Sequence, residues 1–175
     1  MVIPWDQIRQ CLRCPFHAGG SYEEQIVVSK ALTLYAKPDE PTSLQWQTTK
    51  PYQSTITVAA GGRLLLENIT IRHSSPSVAN NYALFVQGGD AEVTGCDIRS
   101  STGSGIGVEG GALTVTNSKI RECVGNGAVI AGSIDSRASL SESDEELMSL
   151  RPKVSDAAGT CHWPAILLTR PMLGS

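Results

Sequence analysis

Apolar and polar residues alternate with a period of two along much of the chain, and three stretches carry the alternation in the same frame. Written from their paired glycines they are GGRLLLENITIR from Gly61, GGDAEVTGCDIR from Gly88 and GGALTVTNSKIR from Gly110. Leu64 with Leu66, Ala91 with Val93, and Leu113 with Val115 fall on one side, as a strand with one buried face requires. Each stretch closes on Ile-Arg, at Ile71-Arg72, Ile98-Arg99 and Ile120-Arg121. A second apolar run precedes each later unit or ends the last: YALFV from Tyr82, GIGV from Gly105 and GAVI from Gly127. Each unit therefore holds about three short strands and no helical segment. The spacing between units varies while the frame inside them holds, so extra residues fall in loops, SSPSVANN at 74–81 being the clearest case.

One such unit cannot bury its inner face alone, so the units must stack. Stacked coils with Gly and Asn at the corners describe an all-β fold, a single-stranded parallel β-helix, with rungs about 4.8 Å apart. The corner residues are Gly61, Gly62, Gly88, Gly89, Gly110 and Gly111, with Asn68, Gly95 and Asn117 at a second, equivalent corner. Asn tolerates the left-handed region there, and Gly reaches it without a Cβ penalty. A β-sandwich ranks lower, because its strands have no reason to repeat the same corners in register.

The flanks read differently. Residues 4–12 (PWDQIRQCL) suit a short helix capping the first rung, with Pro4 in its first turn and Ile8 and Leu12 on one face. Residues 19–36 suggest an early rung with two strands, and residues 37–53 a polar, proline-containing loop. Residues 133–159 are rich in Ser, Asp, Glu and Arg and suggest a largely disordered linker, with a capping box at Ser143 to Glu146 and one marginal helix near 144–150. Residues 161–173 are apolar again and are candidates to fold over the open end of the solenoid. The predicted division is a lead-in at 1–18, about five rungs at 19–133, and an acidic linker with an apolar end at 134–175.

Composition narrows the function classes. The 175 residues are 41% hydrophobic and 18% charged, too apolar for a wholly disordered chain. A net charge of −3 argues against a domain built to neutralise nucleic-acid phosphates. No apolar run approaches the roughly 20 residues that cross a bilayer. The first residues carry no basic-then-apolar signal, so an intracellular site, cytoplasm or nucleus, is expected. The five cysteines do not suggest a disulfide framework; Cys96 and Cys123 are expected to be free thiols in the solenoid interior or corners.

GSYEEQIVVSKALTLYA resembles the opening rung of the pectin-lyase-like right-handed parallel β-helix superfamily, and VTGCDIRSSTGSGIGV resembles its carbohydrate-binding and sugar-hydrolase repeats. The β-helices of F-box substrate adaptors and of the Shc-binding spindle protein are similar in character, and plant pectin methylesterases share the layout. The resemblance spans residues 19–132. It implies a right-handed coil and one of two functions: a non-catalytic scaffold that recognises protein, as in a ubiquitin-ligase substrate adaptor, or a carbohydrate-binding or pectin-modifying protein.

The resemblance also says where chemistry would sit. A methylesterase needs two Asp and oxyanion-stabilising Gln; Thr102-Gly103 stand where a Gln-Asp pair belongs, and Asn81 falls near the upstream Gln position. The paired Asp, Gly-His-Gly and Arg-Ile-Lys motifs of polygalacturonases are absent. Asp90 and Glu92 share a face and could meet glycosidase spacing, but a solvated turn accounts for them more simply. Asp97 is a lone carboxylate, a poor calcium site. Cys11, Cys14 and His17 with Cys161 and His162 resemble a divided zinc site, while cap packing explains the first pair, read as helical. No catalytic residue, metal or cofactor is expected. His73 is read as a surface residue, and Asn68-Ile69-Thr70 as a glycosylation acceptor only in a secreted chain.

Two binding features remain. Stacking places Arg72, Arg99 and Arg121 in a ladder with Asp97 and Lys119 in the adjacent column, a stripe suited to an acidic partner, first a protein and second an acidic polysaccharide, with a solvated face holding an Asp97–arginine pair as the plainer account. Ser139, Ser141 and Ser143 precede acidic residues and are candidates for phosphorylation, against a plain solvated linker.

Overall fold

The computed structural model describes residues 14–15, 19–76, 81–131 and 137–141, and within them the regular structure is strand alone. A lead-in strand β1 (Cys14–Pro15) precedes five coils of three strands. They are β2 (Gly20–Glu23), β3 (Ile26–Val28) and β4 (Ala31–Tyr35); then β5 (Thr42–Gln47), β6 (Ile56–Ala59) and β7 (Arg63–Glu67). The third coil is β8 (Ile69–Ser74), β9 (Tyr82–Gln87) and β10 (Asp90–Thr94), and the fourth β11 (Asp97–Ser100), β12 (Ser104–Glu109) and β13 (Ala112–Thr116). The fifth is β14 (Lys119–Arg121), β15 (Ala128–Ala131) and β16 (Arg137–Ser141). Every named strand pairs in parallel with its counterpart one coil away. This makes three sheets, sheet 1 (β2, β5, β8, β11, β14), sheet 2 (β3, β6, β9, β12, β15) and sheet 3 (β1, β4, β7, β10, β13, β16). The fold is a right-handed parallel β-helix.

The inward residues stack like on like. Leu44, Ile71, Ile98 and Ile120 form a column in sheet 1, Val28, Val58, Val86, Val108 and Ile130 one in sheet 2, and Leu34, Leu66, Val93 and Val115 one in sheet 3. All are buried and belong to one continuous core. At roughly 1.5–3 kcal/mol per fully buried aliphatic side chain, these columns are the main force closing the coil. Branched aliphatics suit the pleat because their stiff χ1 rotamers repeat from rung to rung.

The two corner types have different physical causes. The first glycine of each pair, Gly61, Gly88 and Gly110, takes a left-handed φ of 77°, 81° and 81°; in the last pair Gly111 does so as well, at 80°, and a Cβ on it would lie 1.9 Å from the Gly89 carbonyl oxygen of the coil below. At the other corner Asn68 and Asn117 take φ of 57° and 49°, with Gly95 at 66° between them. The glycine there is also a matter of room, since a Cβ would meet the Asn68 side-chain oxygen at 2.4 Å.

Several sequence expectations are corrected. Residues 37–53 are not simply a loop, because Thr42–Gln47 forms β5 with Thr42 and Leu44 buried. The first coil has three strands instead of two, Gly20–Glu23 being the addition. The predicted boundaries at 18 and 133 both cut through sheet 3: Cys14–Pro15 is a strand beside Leu34–Tyr35, not helix, and Arg137–Ser141 pairs with Ala112–Thr116. The alternation of Ala138 and Leu140 in RASLS continues Leu113 and Val115 in register, a signal that the surrounding Ser and Arg masked. The predicted capping helix at 4–12 and the capping box at 143–146 lie outside the described residues, as do residues 161–173.

Candidate binding face on sheet 1

Outward residues of sheet 1 form two columns, because in-register parallel strands stack every second side chain about 4.8 Å apart. One runs Ser21, Ser43, Thr70, Asp97, Lys119. The other runs Glu23, Gln45, Arg72, Arg99, Arg121. The arginine ladder is therefore real as a column, but it is electrically divided. Arg99 donates from Nη2 to Asp97 at 2.7 Å and from Nη1 to Glu122 at 3.0 Å, and Arg121 donates from Nη2 to the same Asp97 oxygen at 2.7 Å. One carboxylate in the neighbouring column thus bridges two cations that would otherwise repel across the rung.

The bridge shows in the chemistry of Asp97. Burial pushes its carboxyl up, but hydrogen bonds from Arg121 and Arg99, with their charges, outweigh that and hold it at about 2. The same bonds raise both guanidinium groups above their ordinary value. Glu122, at φ 54°, sits just past β14 and reaches Arg99 from outside. Arg72, exposed on β8, makes no ion pair among the described residues, and the same holds for Lys119.

Beside the Arg72 column lies an open groove of about 340 Å³, lined by Glu23, Gln45, Gln47, Arg72, Ser74 and Ser101 among others. Its polar lining combines the amides of Gln45 and Gln47 and the hydroxyls of Ser74 and Ser101 with two carboxylates, Glu23 and Glu122, and two guanidinium groups, of which Arg99 is paired with Glu122 and Arg72 makes no ion pair among the described residues. Sequence reasoning missed Gln45 and Gln47 because β5 was read as loop, although the Thr42–Leu44 alternation marked the strand. It also missed Glu122, which the adjacent Arg121 could have flagged as a charge partner at the strand end.

His73 is corrected outright, since it is 2% exposed. It takes the inward position of β8 next to Trp46 of β5 and Ser100 of β11, where the solenoid is filled with side chains. The Thr55 hydroxyl donates to the Arg72 carbonyl at 3.0 Å, so its oxygen is free to accept from His73 Nδ1–H at 3.2 Å. That assignment leaves Nε2 unprotonated, and it has no partner among the described residues. Burial pushes the imidazole down to about 4.

The remaining candidates separate. Asn81 is buried, its Oδ1 accepting from the Gln53 backbone N–H at 3.0 Å, and Thr102 accepts from the Ser75 backbone. Both hold loops between sheets 1 and 2 in place. Asp90 and Glu92 are exposed on β10, over sheet 3. Cys96 is buried, and burial pushes its thiol up to about 11; Cys123 is half-buried and also raised by burial. Ser139 and Ser141 lie on β16, while Ser143, Cys11, His17, Cys161 and His162 lie outside the described residues. Among the described residues no group of three or more His, Cys, Asp or Glu is placed to hold a metal. No helix among them is long and apolar enough to cross a membrane.

Residues 54–143 match the protein family described as "Right handed beta helix region". The chain belongs to the right-handed β-helix family. The family match runs from β6 through β16 and so includes Arg72, the Asp97 bridge and Lys119, while β2 to β5 are joined to it by the continuous ladders of all three sheets. Comparison with curated proteins and with solved structures finds no match.

Proposed function

We propose that this right-handed β-helix is a non-catalytic recognition scaffold whose sheet 1 face receives a protein partner, an acidic side chain of that partner seating on Arg72. The observation that carries the reading is the division of the arginine column. Arg99 and Arg121 are committed to Asp97 and Glu122, whereas Arg72 makes no ion pair among the described residues and lines the groove with Gln45, Gln47, Ser74 and Ser101, and with the carboxylates of Glu23 and Glu122. A guanidinium fork that makes no ion pair suits a partner's carboxylate, which it binds bidentately while the amides and hydroxyls take the neighbouring backbone. A substrate-adaptor role, which the resemblance to F-box adaptor β-helices implies, is consistent with such a face. A second reading, an acidic polysaccharide, draws on the same Arg72 and on the capacity of the Gln45 and Gln47 amides to bond sugar hydroxyls.

Affinity capture with the full chain tests the proposal, using Arg72→Glu as the variant and Arg63→Glu, on the outward face of sheet 3, as control. Partners retained by the control and lost with Arg72→Glu support it. Unchanged capture by Arg72→Glu overturns it, and loss of binding confined to uronate-bearing glycans on an array favours the second reading.

A further inference from the structure

Arg99 is held on two sides by contacts of unequal strength. Its Nε and Nη2 donate to the Asp97 carboxylate, at 3.2 Å and 2.7 Å, where both side chains are largely shielded from water. Its Nη1 donates to both oxygens of Glu122, at 3.1 Å and 3.0 Å, and that side chain is 61% exposed. Water and salt screen the second contact far more than the first, so it is the one a competing anion can displace. Asp97 would hold the guanidinium in place after Glu122 left, with Nη1 open to a new acceptor.

The backbone by itself does not favour a glutamate at this point. β14 ends at Arg121, and Glu122 leaves it at φ 54°, a left-handed conformation that the corner from sheet 3 into sheet 1 gives to Asn68, Gly95 and Asn117. The side chain carries a carboxylate back across one rung into the groove, whose lining includes Arg72 as well as Arg99. Those two arginines are register partners on β8 and β11, about 4.8 Å apart along the column. The groove thus holds two guanidinium groups one rung apart, of which Arg99 already binds a carboxylate and Arg72 makes no ion pair among the described residues.

We propose that Glu122 is a built-in competitor for the partner's acidic groups, and that the sheet 1 face selects two carboxylates about one rung apart, the first seating on Arg72 and the second displacing Glu122 from Arg99. The inference rests on Arg72 being the partner's seat, as argued above. A lone carboxylate on Arg72 gains one guanidinium and must sit beside the negative charge of Glu122. A pair gains Arg99 as well and sends Glu122 into water, where its exposed side chain loses little. Two glutamates two residues apart in an extended segment point the same way, and their flexible side chains reach both arginines.

NMR titration of the full chain tests it, reading the Nε–Hε signals of Arg72 and Arg99 as two end-blocked peptides are added, Gly-Glu-Gly-Glu-Gly and its counterpart with the second glutamate replaced by glutamine. Both should shift Arg72, and only the two-glutamate peptide should shift Arg99. Glu122→Gln should tighten the two-glutamate peptide about threefold to fivefold, the range an exposed pair allows, and the gain should vanish in an Arg99→Gln background. An unchanged Val115 amide signal, inside sheet 3, checks that each variant keeps its coil, and the Glu122→Gln comparison stands without the Arg99 variant. No Arg72 shift with either peptide would overturn the reading of Arg72 itself and this inference with it. An Arg72 shift with unchanged two-glutamate affinity in Glu122→Gln overturns the inference alone. So do equal Arg99 shifts from the two peptides, or a gain that persists in Arg99→Gln, because Glu122 would then act through its charge and not through Arg99.

Discussion

Acid should destabilise this protein through one buried imidazole. His73 is 2% exposed, spends its one N–H on Thr55 and offers Nε2 no acceptor for a second proton. Protonation would place a charge and an unpaired donor among packed side chains, so the folded state holds the group at about 4 against 6.5 in an unfolded chain. The folded value is the lower one, so between the two the unfolded chain binds the extra proton. Stability is therefore full above about 6.5 and declines as pH falls toward about 4. The whole shift corresponds to about 3 kcal/mol, of which about 2 kcal/mol should be lost between pH 7 and pH 4.5. Urea unfolding of the wild type and of His73→Gln at those two pH values isolates the effect. Every other group is common to both proteins and cancels in the difference, and Asp97 titrates lower, between 3.8 and about 2. The wild type should lose about 2 kcal/mol more than the variant over this interval. A difference under about 0.5 kcal/mol would refute the reasoning, because it would mean that the protonated ring finds solvent or a partner at little cost.

Other consequences are as direct. Gly111→Ala must push the new methyl against the Gly89 carbonyl at a φ of 80°, and should cost about 3 kcal/mol in thermal or chemical unfolding, whereas Gly61→Ala, at φ 77° with nothing within 4 Å, should cost about 1 kcal/mol. Asp97→Asn removes the bridge between Arg99 and Arg121. With Asp97 21% exposed and both arginines partly solvated, the loss should be about 1 kcal/mol near neutral pH, and the gap to wild type should close as pH falls from 3.8 through about 2. Cys96, buried with its thiol raised to about 11, should resist maleimide in the folded protein and label fully in urea; rapid labelling in native buffer would contradict its burial.

The repeat was legible because coil architecture leaves a strictly local trace. Leu64, Leu66, Ala91, Val93, Leu113 and Val115 alternate within each unit, and the Gly-Gly and Asn corners recur because each rung makes the same turn. The misses share a physical cause too. Leu44 is the only aliphatic residue of TSLQWQ, and its burial comes from stacking on Ile71 of the next coil, a contact 27 residues away in sequence. RASLS is held by ladder bonds to Ala112–Thr116, which local polarity does not report. His73 looked like a strand-end surface residue beside Arg72; the inward parity of β8 was the signal that it faces Thr55 and Trp46 instead.

For the candidate face, the alignment of Ile-Arg pairs was enough to put Arg72, Arg99 and Arg121 in one column, because a period-two strand and a fixed corner leave no other register. It could not say which arginine is free. That depends on rotamers and on Glu122, whose left-handed backbone past β14 brings a carboxylate back to Arg99 across one rung. Sequence alone determined the coil, its corners and the order of charges along it, since these follow from local periodicity. Only the tertiary structure decided that Asp97 joins Arg99 to Arg121, that His73 is buried and that Arg72 is left facing the groove, because ion pairing and burial are set by distances between coils.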